Sequence, residues 1–88
     1  MSEDRSLVGD MITKIKQQRD EIALKIHLGS MEAKDEFENA KAKLNDLEKD
    51  YTSVRGAVDE SAKSVLESVK LVGEEILSSF DRIRNSLK

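Results

Sequence analysis

The sequence predicts an all-α fold, and three observations predict it. The 88 residues contain no proline, whose ring would break the backbone ladder of a helix. Charged and hydrophobic residues each make up 38% and aromatics only 3%, which is the profile of amphipathic helices rather than of a sheet. Apolar side chains also recur at alternating steps of four and three along most of the chain. Steps of that kind average 3.5 residues, the seam of a left-handed coiled coil.

The stripe begins with Val8, Ile12 and Ile15. Arg19 interrupts it, and Ile22 and Ile26 resume it. Gly29 and Ala33 carry it on with small residues to Phe37 and Ala40. Its most regular stretch is Ala40, Leu44, Leu47, Tyr51, Val54 and Val58. Ala62, Val65, Val69, Val72, Ile76, Phe80, Ile83 and Leu87 complete it. Doubled steps of four at Gly29–Ala33–Phe37, Val54–Val58–Ala62 and Val72–Ile76–Phe80 are stutters, which unwind a supercoil locally. They favour a compact bundle over an extended rod. The expected helix-packing interface is therefore Ile15, Ile22, Ile26, Phe37, Leu44, Leu47, Tyr51, Val54, Val58, Val65, Val69, Val72, Ile76, Phe80 and Ile83. Arg19, a charge on the seam, reads as a device that selects register or oligomer state rather than as a catalytic group.

Charges on the flanks support the helices. Glu21 and Lys25 stand four apart in the favoured order, and Arg55, Asp59, Lys63 and Glu67 alternate in sign at steps of four. Two places offer a break. Gly29-Ser30 suits a helix end followed by a cap. At Asp50–Ser53, Thr52 or Ser53 is a candidate N-cap with Asp59 and Glu60 following. The favoured arrangement is a single domain, 1–88, made of two long helices, 5–50 and 55–87. They form an antiparallel hairpin turning near Tyr51–Val54, and a second copy closes a four-helix bundle. A three-helix bundle broken also at Gly29-Ser30, and one continuous helix of about 130 Å, remain open.

Composition narrows function. Without cysteine, disulfide and thiolate chemistry are excluded. The net charge is −3 with both signs interleaved, so neither half has the basic footprint of a phosphate-backbone binder, and nucleic acid is not an expected partner. No apolar run approaches a membrane span or a signal-peptide core, which makes the cytoplasm the expected compartment. His27 is the sole histidine and has no acidic residue four before or after it. The carboxylates Glu32, Asp35, Glu36 and Glu38 lack the Glu-x-x-His pairs of di-iron bundles and the glycine-centred calcium loop. No glycine-rich phosphate loop and no nucleophile–histidine–acid set can be assembled. No enzyme activity, cofactor or metal is therefore expected. Serines 61, 64, 68, 78 and 79 read as small or exposed polar positions.

The segments Leu24-Lys25-Ile26-His27-Leu28, Ala33-Lys34-Asp35-Glu36-Phe37-Glu38, Glu74-Glu75-Ile76 and Phe80-Asp81-Arg82-Ile83-Arg84 resemble a group of small bacterial coiled-coil proteins of unknown function. Phe37 stands where that group commonly has tryptophan and Phe80 where it has tyrosine. Gly29-Ser30 stands where it has alanine or lysine, so the resemblance implies helix there and a bacterial origin. It brings no activity and no catalytic residues. The expected function is a non-enzymatic structural or protein-interaction module acting through helix packing and self-association, with a dimer favoured and another helical protein as a further partner. The alternative is a peripheral membrane protein that lays the amphipathic helix 57–87 on a lipid surface.

Overall fold

A computed structural model describes residues 2–54 and 60–87, with side chains placed for 7–54 and 63–87. The described residues form three α-helices: α1, Ser2–Lys25; α2, Met31–Val54; and α3, Glu60–Ser86. A 3-10 turn, Ile26–Leu28, joins α1 to α2. The all-α class holds. Among the three arrangements left open by the sequence, the chain takes the three-helix bundle and not the favoured two-helix hairpin. Its body measures 45 × 18 × 15 Å, far from a 130 Å rod.

The break at Gly29-Ser30 replaces the unbroken helix 5–50 and the helix that the family resemblance implies there. Its local cause is visible. Gly29 takes an extended conformation (φ −86°, ψ 166°), and its N–H donates to the Ile26 carbonyl at 2.9 Å. Ser30 then caps α2: its hydroxyl accepts from the Ala33 N–H at 3.1 Å, and its carbonyl from the Lys34 N–H at 3.0 Å. Glu32 adds an acid to the first turn. The larger cause is burial. Folding α1 back hides Val8, Ile12, Ile15 and Ile22, a stripe that a straight isolated chain would leave in water.

The turn expected at Tyr51–Val54 is a second correction. Helix α2 runs through Val54, and Ser53 is no cap, because its hydroxyl donates to the Asp50 carbonyl one turn back at 2.8 Å. Residues 55–59, which include Val58 and the Arg55–Asp59 half of the charge ladder, lie outside the described residues.

Helices α2 and α3 run antiparallel, with Phe37 beside Phe80 and Glu36 beside Arg82. Helix α1 runs antiparallel to α2, with Lys16 opposite Glu48, and parallel to α3, with Met11 over Gly73. It packs mainly along α3. Gly73 permits that approach, since a Cβ there would stand 2.9 Å from the Met11 sulfur.

Candidate functional site

The organised feature of this molecule is its helix-packing seam. Ile15, Ile22, Phe37, Leu44, Leu47, Val54, Val69, Ile76, Phe80 and Ile83 are buried in one apolar core. Ile26, Tyr51, Val65 and Val72 are half-buried against its margin, and Val58 lies outside the described residues. Val8, Ile12, Ala33 and Ala40 from the same stripe are also buried.

In α3 the seam differs in phase from the sequence reading. Leu66, not Val65, is fully inside, and Gly73 is buried where Val72 is not. The true line is Leu66, Val69, Gly73, Ile76, Phe80, Ile83 and Leu87, which alternates three and four without a stutter. A seam traced through side-chain hydropathy passes over Gly73; counting glycine as a seam residue restores the line.

Toward the end that carries the α1–α2 turn, the α2–α3 seam holds an aromatic pair. The Phe37 and Phe80 rings pack tilted at 53° with centroids 5.9 Å apart, and the Lys41 ammonium lies 4.9 Å over the Phe37 ring. Arg82 reaches Glu36 with two nitrogens, at 2.7 and 3.1 Å, and Lys43 approaches Glu75 at 3.8 Å. These pairs are largely in solvent, so they tune pairing and add little stability.

The polar step in α1 is less settled. The side-chain oxygen of Gln18 is buried and has no hydrogen-bond partner. Its neighbour Arg19 turns its guanidinium to Asp20 at 3.1 Å, on its own helix. A gap therefore separates Ile15 from Ile22 in the α1 stripe.

His27, Glu32, Asp35 and Glu38 are exposed, and Glu36 is the Arg82 partner. Among the described residues no group of three or more His, Cys, Asp or Glu side chains is placed to hold a metal ion. A shallow groove between α2 and α3 is floored by Leu47, Val69 and Val72 and rimmed by Lys43, Asp46, Asp50 and Glu75, enclosing about 260 Å³. Leu66, Val69, Ile76, Phe80 and Ile83 of α3 point into the core, and Leu71 is exposed. No described helix is long and apolar enough to cross a membrane. The large apolar side chains left outside include Leu24, Leu28 and Met31, 66–77% exposed and gathered at the α1–α2 turn.

No family model matches the chain, and comparisons with curated proteins and with solved structures found no match.

Proposed function

We propose that the chain is a non-enzymatic structural and interaction module that works by packing helices against helices, copies of itself included. The observation that carries this reading is the division of its apolar side chains. Among the described residues a thin seam supplies the core of a 45 Å body, while Leu24, Leu28 and Met31 remain in water at one end and Leu7 and Leu71 elsewhere. So short a chain buries a small share of its surface, and association is a usual compensation where disulfides and metals are lacking.

Sedimentation velocity over a wide concentration range tests the reading. It expects a reversible shift from monomer to dimer as concentration rises. A well-folded monomer at every concentration overturns the self-associating module.

A further inference from the structure

The buried faces of α1 and α2 share a property that a helical hairpin does not require. If Ile26–Ser30 is straightened into α-helix, the two faces fall on the same side of one rod. At ~100° per residue the mean direction of Val8, Ile12, Ile15 and Ile22 differs by only about 30° from that of the buried α2 residues Ala33 to Val54. Ile22, Ile26, Gly29 and Ala33 bridge the break in steps of four, three and four.

The backbone of the hinge lies close to helical geometry. Lys25 is already in the right-handed helical region, Ile26–Leu28 are 3-10, and only Gly29 and Ser30 leave helical geometry. Among the described residues there is no cis peptide and no positive φ.

From this phase match we infer that two copies of the chain associate by exchanging α1. In the exchanged dimer each chain straightens into one helix from Ser2 to Val54, about 80 Å long. Two such helices lie antiparallel, and α1 of each occupies the place of α1 in its partner, along α2 and α3. The contacts that α1 makes with α2 and α3 are remade between chains while those of α2 with α3 stay within one, which is why exchange is an economical route to a dimer. The register is fixed by contacts already present. Lys16 pairs with Glu48 and Gly9 lies under Tyr51, so the midpoints fall at residues 32 and 30. The two-fold axis therefore passes the hinge itself, where both rods carry their small residues Gly29 and Ala33.

The inference rests on the self-association reading and specifies its geometry. It reconciles two demands on one stripe: the sequence writes a long helix through residue 30, and a lone chain must fold that helix back to bury it.

The experiment uses two cysteine pairs in the otherwise cysteine-free full chain. Lys16→Cys/Glu48→Cys spans α1 and α2, and Lys43→Cys/Glu75→Cys spans α2 and α3. After refolding at high concentration, monomer and dimer are separated by size and each is treated with a short bis-maleimide. In the dimer, linking 16 to 48 is expected to give covalent dimers on a denaturing gel. Linking 43 to 75 is expected to stay within one chain. A dimer in which 16 links to 48 within one chain overturns the exchange and leaves self-association standing. Gly29→Ala/Ser30→Ala provides the second arm. It removes the cap and sets a Cβ 2.8 Å from the end of Leu87 in the bent form, while favouring helix at both positions. It is expected to raise the dimerisation constant at least about a hundredfold, since two hinges change per dimer. No dimer with either hinge sequence overturns the exchange and the self-association reading together.

Discussion

The α2–α3 hairpin and the docking of α1 are built from the same kinds of residue, yet they differ in how completely their stripes are apolar. Between α2 and α3 the seam is continuous: Ala33, Phe37, Ala40, Leu44 and Leu47 line α2 and Val69, Ile76, Phe80 and Ile83 line α3, with an aromatic pair toward the α1–α2 turn and an ion pair beside it. In α1 the seam is broken between Ile15 and Ile22 by Gln18, whose buried oxygen has no donor, and Arg19, which turns to its own neighbour. Helix α1 also rests mainly on α3 and touches α2 at few places, among them Lys16–Glu48. Helix pairing strength therefore follows the purity of the stripe more than the length of the helix, because a polar group inside a thin core loses its water without gaining a partner.

Four substitutions sharpen or break that comparison. Phe80→Ala should have the largest effect, since the ring is fully buried between α2 and α3 against Phe37. A loss of about 4 kcal/mol is expected, close to the whole stability of a domain this size. Thermal unfolding by circular dichroism reads it; a mild loss would mean that the side chains around Phe37 relax to fill the cavity.

Ile22→Ala comes next, at about 3 kcal/mol. The comparison predicts where that loss appears as well as how large it is. In hydrogen exchange, α1 amides should lose protection well before those of α2 and α3. Equal loss across all three helices would make α1 as integral as its neighbours.

Gln18→Leu should act in the opposite direction. Replacing an unpartnered buried oxygen by a methyl-bearing side chain is expected to stabilise by about 1 kcal/mol, raising the melting temperature by roughly 4–8 °C. A lowered melting temperature would show that the Gln18 amide is engaged in solution. The smallest effect belongs to Glu36→Gln, which removes the exposed partner of Arg82. A loss of about 0.5 kcal/mol at low salt, vanishing at high salt, is expected. A loss of several kcal/mol would give the ion pair a structural weight its exposure does not suggest.

How much of this was legible in the sequence can be stated residue by residue. The class was legible, because the absence of proline and the 3.5-residue recurrence of apolar side chains permit little besides amphipathic helices. The core faces of α1 and α2 were legible for the same reason: Ile15, Ile22, Phe37, Leu44 and Leu47 occupy the stripe that periodicity alone selects. Val65 and Val72 were chosen over Leu66 and Gly73 because a glycine carries no hydropathy signal, although its want of a side chain is what lets Met11 lie over it. The N-caps offered at Thr52 and Ser53 were local signals that the helix overrode: α2 gains the burial of Val54 by continuing.

The sequence by itself determined that the chain is helical, which side of α1 and of α2 is apolar, and that polar residues interrupt the first stripe. It did not determine whether Gly29-Ser30 bends or stays straight. Ser30 can cap a new helix or sit inside an old one, and the stripe keeps its phase through both alternatives. Only tertiary structure decided that point. A stripe can be buried by folding back on its own chain or by lying against another, and local propensities of about 1 kcal/mol are small beside the burial of Val8, Ile12, Ile15 and Ile22 that the bend makes possible.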